Sequence, residues 1–151
     1  MPNTPTKYFG NLEYRNEDVI QFPSGIPAFE EEVSFLLVEA ADRAPLQFLQ
    51  SMRQTSLCFL ALPILVVDSK YRLELSSEDL TSLGLATDRQ PSIGTDIECM
   101  AVLVTPETGP PSVNLLAPIV INRRNRRGIQ AIRADLTYSH QFKLAAAAVC
   151  L

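Results

Sequence analysis

The chain is poor in the residues that carry chemistry. It has one histidine, His140, among 151 residues. No second imidazole is present to complete a metal site or a proton relay, and neither C-x-x-C nor H-x-x-H spacing occurs. His140 reads either as a base or ligand or as a loop histidine, and the poorly patterned sequence around it favours the loop. The three cysteines, Cys58, Cys99 and Cys150, are odd in number and widely spaced, which argues against a disulfide framework. Cys58 and Cys99 lie inside apolar runs and read as reduced core thiols. Nothing in the spacing supports a Cys–His nucleophile pair. Neither G-x-x-x-x-G-K-[ST] nor G-x-G-x-x-G is present, so no recognised phosphate cradle exists. The longest apolar run, Leu57 to Val67, contains Pro63 and falls short of the roughly 18 residues that a membrane span requires. Met1-Pro-Asn-Thr-Pro-Thr-Lys7 lacks the apolar core of a signal peptide. A soluble cytoplasmic protein with no cofactor is the expectation.

What is present is an ordinary globular composition with an uneven charge. Hydrophobic residues make up 46% of the chain, enough for a packed core in a single domain. Seventeen acids against 13 bases leave a net charge of −4. Residues 1–122 hold 7 bases and 16 acids, net −9, whereas residues 123–151 hold 6 bases and 1 acid, net +5. The overall balance argues against a general nucleic-acid binder. The asymmetry bears on partners and steering rather than on fold.

Short apolar segments recur between turn signals. Tyr8–Tyr14, Val19–Phe22, Phe35–Val38, Leu46–Ser51, Leu57–Leu62, Ile97–Thr105, Asn114–Asn122 and Ile129–Ala134 all read as strands or strand pairs. Phe22-Pro-Ser-Gly25 has turn chemistry, with proline second and glycine last. Ile26–Phe29 with the acids after it reads as one helical turn. Tyr71-Arg-Leu-Glu-Leu75 alternates and predicts a half-buried strand. Ser76–Gly84 is the best helix, with Ser76 to cap it and Gly84 to stop it. Pro118 marks a bulge or an edge. The pattern predicts an all-β fold: a small antiparallel β-barrel-like domain with one or two short helices. It spans residues 1–138, with 139–151 as a low-complexity tail.

Two charged features stand out. Glu30-Glu31-Glu32 reads as a solvated turn, or as a negative patch for a basic partner. Arg123-Arg-Asn-Arg-Arg-Gly128 reads as a solvated hairpin tip with Asn125 and Gly128 supplying turn geometry, or as an anion contact. No aromatics flank it, which weakens a single-stranded nucleic-acid platform. Asn122, Arg123 and Arg124, polar and at a strand end, are partner candidates.

Several blocks resemble one known family and occur in its order. They are Thr6-Lys-Tyr-Phe-Gly10; Ile20-Gln-Phe-Pro-Ser-Gly-Ile-Pro-Ala-Phe-Glu30; Phe48-Leu-Gln-Ser51; Tyr71-Arg-Leu-Glu-Leu75 with its helix; and Ser112-Val-Asn-Leu-Leu-Ala-Pro-Ile-Val-Ile-Asn122 with Gly128. Together they are similar to the bacterial flagellar assembly factor family FliW over roughly residues 6–138. Ala28 stands where that family usually has glycine, and Leu62-Pro63 where it often has Asp-Pro. The resemblance implies a non-enzymatic β-barrel-like protein with two partners, flagellin and the translational repressor CsrA. When flagellin is secreted, the freed protein binds CsrA beside its RNA surface, and flagellin mRNA is translated. Neither direct nucleic-acid nor membrane contact is implied, and a monomer suffices. An acidic protein would attract a basic RNA-binding repressor, which makes Glu30, Glu31, Glu32, Glu74 and Glu78 candidate partner contacts. Two alternatives stand beside this: a small-molecule-binding or hydrolytic β-barrel, and direct RNA binding through the arginine turn. The missing histidine pairs and phosphate loops weigh against the first, and the net charge against the second.

Overall fold

The strand-forming segments condense in chain order, each against the one before it. The computed structural model describes residues 1–133 and 137–144. Strands β1 (Asn3–Thr6) and β2 (Gly10–Glu13) form a separate hairpin. The main sheet follows with β3 (Ile20–Gln21), β4 (Ser34–Glu39), β5 (Gln47–Ser51) and β6 (Cys58–Pro63). After β6 come the helices α1 (Ile64–Val67) and α2 (Ser77–Leu83). The sheet resumes with β7 (Ile97–Val104), β8 (Ser112–Asn122), β9 (Gly128–Gln130) and β10 (Phe142–Lys143). From β3 to β9 every strand pairs antiparallel with the next. The curved sheet nearly closes on itself, because the Gln21 N–H donates to the Arg126 carbonyl at 2.9 Å across the seam. Closure of this kind removes exposed strand edges, which is the gain that favours a barrel over an open sheet.

The eleven residues of β8 serve two neighbours. Its first end pairs with β10 and its last with β9. Between them the register with β7 jumps from Met100–Ile119 to Val102–Asn114. Pro118 has no N–H to give to a ladder and sits in this bulge, as its position in the sequence predicts. Asn114 stabilises the bulge: its Oδ1 accepts from the N–H groups of Leu116 and Ala117, both at 3.0 Å.

Both faces of the sheet are covered, which explains why strands such as Ile97–Val104 read as nearly continuous apolar runs. The interior face carries Ile20, Phe22, Phe35, Leu49, Met100 and Ile119. The other face, with Phe48, Leu62 and Val120, is covered by Tyr71, Leu73, Leu75 and by Leu80 and Leu83 of α2. Each such buried side chain contributes about 1.5–3 kcal/mol of transfer free energy. Helix α2 matches its sequence signals. Ser76 Oγ accepts from Asp79 N–H at 3.1 Å, and Gly84 ends the helix at φ 74°.

Three expectations are corrected. Tyr71–Leu75 has the alternating burial of a strand, but no ladder partner among the described residues. Side chains bond its backbone instead: Gln90 bonds both Leu75 N–H (2.8 Å) and Leu75 C=O (3.0 Å), and the Tyr138 hydroxyl accepts from Arg72 N–H at 3.0 Å. Arg133 donates to the Arg72 carbonyl and lies 4.9 Å from the Tyr138 ring centre. Alternation reports which face is buried, not whether a neighbouring strand is there to pair. Second, residues within the expected tail join the fold: β10 pairs with β8, and Leu144 is buried. The rest of that tail, and Cys150, lie outside the described residues. Third, Ile26–Phe29 is a tight turn rather than a helical turn, closed by Phe29 N–H on the Ile26 carbonyl at 2.6 Å.

That turn places Pro27 and Ala28 at its centre, with Ala28 at φ 74°. The arrangement is a type II turn, whose third residue needs positive φ and is normally glycine. Alanine there is strained by about 1–2 kcal/mol, partly offset by the extra unfolded-state freedom of glycine. Ala28→Gly is therefore expected to stabilise the protein by about 0.5–1 kcal/mol, read as a higher urea midpoint at unchanged slope. An unchanged or lower midpoint would contradict the turn assignment.

Candidate functional site

The turn between β8 and β9 is held down rather than projecting freely. Asn122 is 3% exposed, and its side-chain amide donates to the Leu83 carbonyl at 2.8 Å. Asn125 donates to the same carbonyl at 2.9 Å. A helix leaves its last carbonyls without intrahelical partners, and here two asparagines from a distant hairpin satisfy one of them. The other ends of the two amides shape the turn: Asn122 Oδ1 accepts from Arg124 N–H and Asn125 Oδ1 from Arg127 N–H, both at 3.0 Å. Arg123 N–H bonds the Asp96 carbonyl at 3.2 Å, and the Arg123 guanidinium donates to the Gly94 carbonyl. Asn122 is thus a buried anchor and not the exposed contact expected from its strand-end position.

Glycine has a different role here from the one expected. Positive φ falls on Arg126, at 60°, which turns its carbonyl toward β3 at the seam. Gly128 sits in β9, where an added Cβ would lie 2.6 Å from the ring of buried Phe22. Its small size, rather than turn geometry, is what the fold uses.

Two clefts of opposite charge flank α2, and they share no lining residue. One, of about 810 Å³, is bordered by Arg89, Arg123, Arg124 and the single acid Asp96, with Leu85 and Pro91 between them. The other, of about 520 Å³, is bordered by Glu30, Glu78 and Asp79 against Arg127, next to the Pro23–Gly25 turn. The fold therefore brings Glu30 and Glu78 together from segments far apart in sequence. The three adjacent acids separate. Glu31 is fully at the surface beside Arg53 at 3.4 Å. Glu32 is 2% exposed, accepting from Ser51 Oγ at 2.8 Å and from the Arg53 guanidinium at 2.6 Å. A buried carboxylate with two partners cannot form part of an external patch, so Glu32 is a structural residue. Glu74 lies on neither cleft; its exposed carboxylate stands 4.0 Å from Arg133. Asp79 and Arg89 complete the clefts without having been singled out as contacts in the sequence, and Arg127 of the arginine turn lies on the acidic cleft rather than beside Arg123 and Arg124. Asp79 is legible in the sequence only as a helix-capping position, and Arg89 lies in an unpatterned loop.

Nucleophilic chemistry finds little support in these side chains. Burial pushes the Cys58 thiol up to about 11 and the Cys99 thiol up to about 12, so both stay protonated at neutral pH. Burial likewise raises Tyr71 to about 12, against the opposing pull of nearby Arg133, and its hydroxyl donates to the Leu115 carbonyl at 2.7 Å. Among the described residues no three His, Cys, Asp or Glu side chains gather as a metal site, and no helix is long and apolar enough to cross a membrane.

These features define a small β-barrel-like protein that carries clefts of opposite charge on its surface. The FliW protein family model matches residues 3–144. The chain is 33% identical to a flagellar assembly factor FliW of Syntrophomonas wolfei over 131 residues, covering 86% of this chain and 80% of that one. It is 31% identical to that of Bacillus subtilis over 135 residues, covering 89% and 90%. A crystal structure of the flagellar assembly factor FliW superposes with a TM-score of 0.83 at 29% identity, covering 97% of this chain and 99% of that one. The chain belongs to the FliW family. The family is one of flagellar assembly factors rather than of enzymes.

Proposed function

We propose that this protein acts in the cytoplasm as a flagellin-binding factor that antagonises the translational repressor CsrA by protein–protein contact. Flagellin holds it while flagellin accumulates. Once flagellin is exported, the freed protein docks on CsrA and flagellin mRNA is translated. The observation that carries this reading is the acidic cleft, where Glu30, Glu78 and Asp79 outnumber Arg127. An RNA-binding repressor must present a basic surface. An acidic cleft in a chain of net charge −4 attracts that surface and repels RNA near it.

The test is calorimetric titration with CsrA and, separately, with flagellin, at low and high salt. The expected result is CsrA binding that weakens with salt, and by about tenfold or more in Glu30→Lys/Glu78→Lys. Both side chains are exposed, so the double reversal leaves the fold intact. Unchanged CsrA affinity in that variant at low salt would sink the acidic-cleft mechanism. Flagellin binding without CsrA binding would leave a secretion chaperone and remove the translational switch.

A further inference from the structure

We propose that the cleft of Arg89, Arg123 and Arg124 is a docking site for an acidic peptide segment of a partner protein. This goes beyond the reading above, which uses the opposite cleft, and does not depend on it.

The charge of this cleft runs against that of the molecule. The chain has more acids than bases, yet three arginines meet one acid here. That acid is already engaged: Asp96 Oδ2 accepts from Ser92 N–H at 2.9 Å, and its backbone carbonyl holds Arg123. Among the described residues the side chains of Arg89 and Arg124 make no ion pair or hydrogen bond, although both are exposed. Neither guanidinium is drawn away to a carboxylate, and both residues line the cleft.

The cleft is also preorganised. Arg123 and Arg124 stand on a turn tied to α2 by two asparagine amides and to the 92–97 loop by the Arg123 contacts with Asp96 and Gly94. The carbonyl of Leu83, which would otherwise present partial negative charge at the helix end, is covered by Asn122 and Asn125. The backbone beneath Arg123 and Arg124 is fixed in this way, as is the Arg123 guanidinium, so a bound carboxylate need not order the turn itself.

The lining selects among anions. No aromatic ring borders the cleft, so a nucleobase has nothing to stack on. Its volume of about 810 Å³ exceeds what one phosphate group fills, and Leu85, Ala86 and Pro91 supply apolar wall between the charges. A run of peptide bearing two or more carboxylates, with its backbone along that wall, meets these features together.

The experiment measures fluorescence anisotropy of a short labelled oligoglutamate peptide added to the whole protein at low salt. Saturable binding is expected, weakened by about tenfold or more in Arg89→Ala/Arg124→Ala and unchanged in Arg15→Ala/Arg43→Ala, which removes two arginines elsewhere. Circular dichroism checks that each variant is folded, and the single reversal Arg124→Glu gives an independent second reading in the same direction. The proposal is overturned by absence of saturable binding, or by equal binding in the Arg89/Arg124 variant. It is also overturned if a labelled oligouridylate binds more tightly with the same arginine dependence. Salt-sensitive self-association abolished by the same variant would assign the cleft to a second copy of this chain instead. The probe contains neither CsrA nor flagellin, so its outcome is separate from the titrations above.

Discussion

Gly25→Ala is expected to destabilise the protein by about 3 kcal/mol or more, from strain and clash together. Gly25 closes the Phe22–Gly25 turn, its N–H bonding the Phe22 carbonyl at 2.8 Å, with φ at +67°. An L side chain at that φ costs about 1–2 kcal/mol. The second cost is steric. An added Cβ would stand 2.5 Å from both the Cα and the carbonyl oxygen of Glu30. Those are backbone atoms, and no rotamer change relieves the contact. Relief requires moving the Glu30 segment, which carries Glu32 into its buried site, so overpacking adds about 1–3 kcal/mol. Gly10→Ala separates the two terms, since Gly10 has φ +64° with nothing within 4 Å of its added Cβ. Urea unfolding should show Gly10→Ala losing about 1–2 kcal/mol and Gly25→Ala clearly more. Equal losses would mean that the close approach of Glu30 is not real.

Reversing the charge of Glu32 is expected to cost even more, about 4 kcal/mol or more, comparable to breaking a buried ion pair. Its carboxylate is buried and is the acceptor for Ser51 Oγ and the Arg53 guanidinium. Lysine there would bury a cation against Arg53 and strand the serine. Glu32→Gln keeps an acceptor oxygen and should lose about 1–3 kcal/mol. Glu31→Lys, whose side chain is 88% exposed, should change stability by under about 1 kcal/mol. Thermal or urea denaturation of the three variants gives the ranking. If Glu32→Lys were as stable as Glu31→Lys, the buried position of Glu32 would be refuted. The ranking also decides how the partner experiment is designed. A triple reversal across Glu30–Glu32 would unfold the protein and so report nothing about a partner, whereas Glu30 with Glu78 tests the surface alone.

The turn signals show where local chemistry is legible. Phe22-Pro-Ser-Gly25 and the Ser76–Gly84 helix follow from residues that meet their own requirements within a few positions. Pro118 marks its bulge for the same reason. Tyr71–Leu75 shows the limit of this reasoning. Its alternation correctly places Tyr71, Leu73 and Leu75 inside, but the backbone partners are Gln90, Arg133 and Tyr138, and nothing in a five-residue pattern names them. Gly128 is legible as important but not for the right reason, because the crowding comes from Phe22, far away in sequence.

The acids make the same point for the site. Glu30, Glu31 and Glu32 look alike in a row, and on an isolated turn they would be. The tertiary structure gives them three fates: Glu30 on a cleft with Glu78, Glu31 in solvent, Glu32 inside with Ser51 and Arg53. Asn122 changes from candidate contact to anchor because the free carbonyl of Leu83 packs against it. By itself the sequence determined the strand-rich class, the capped helix, the Phe22–Gly25 turn and the family, since these rest on local conformational preference and on ordered blocks of residues. Only the tertiary structure decided which charged groups meet and which are buried, because electrostatic and hydrogen-bond partners are set by distance in space, and closing the sheet brings together residues that the chain keeps far apart.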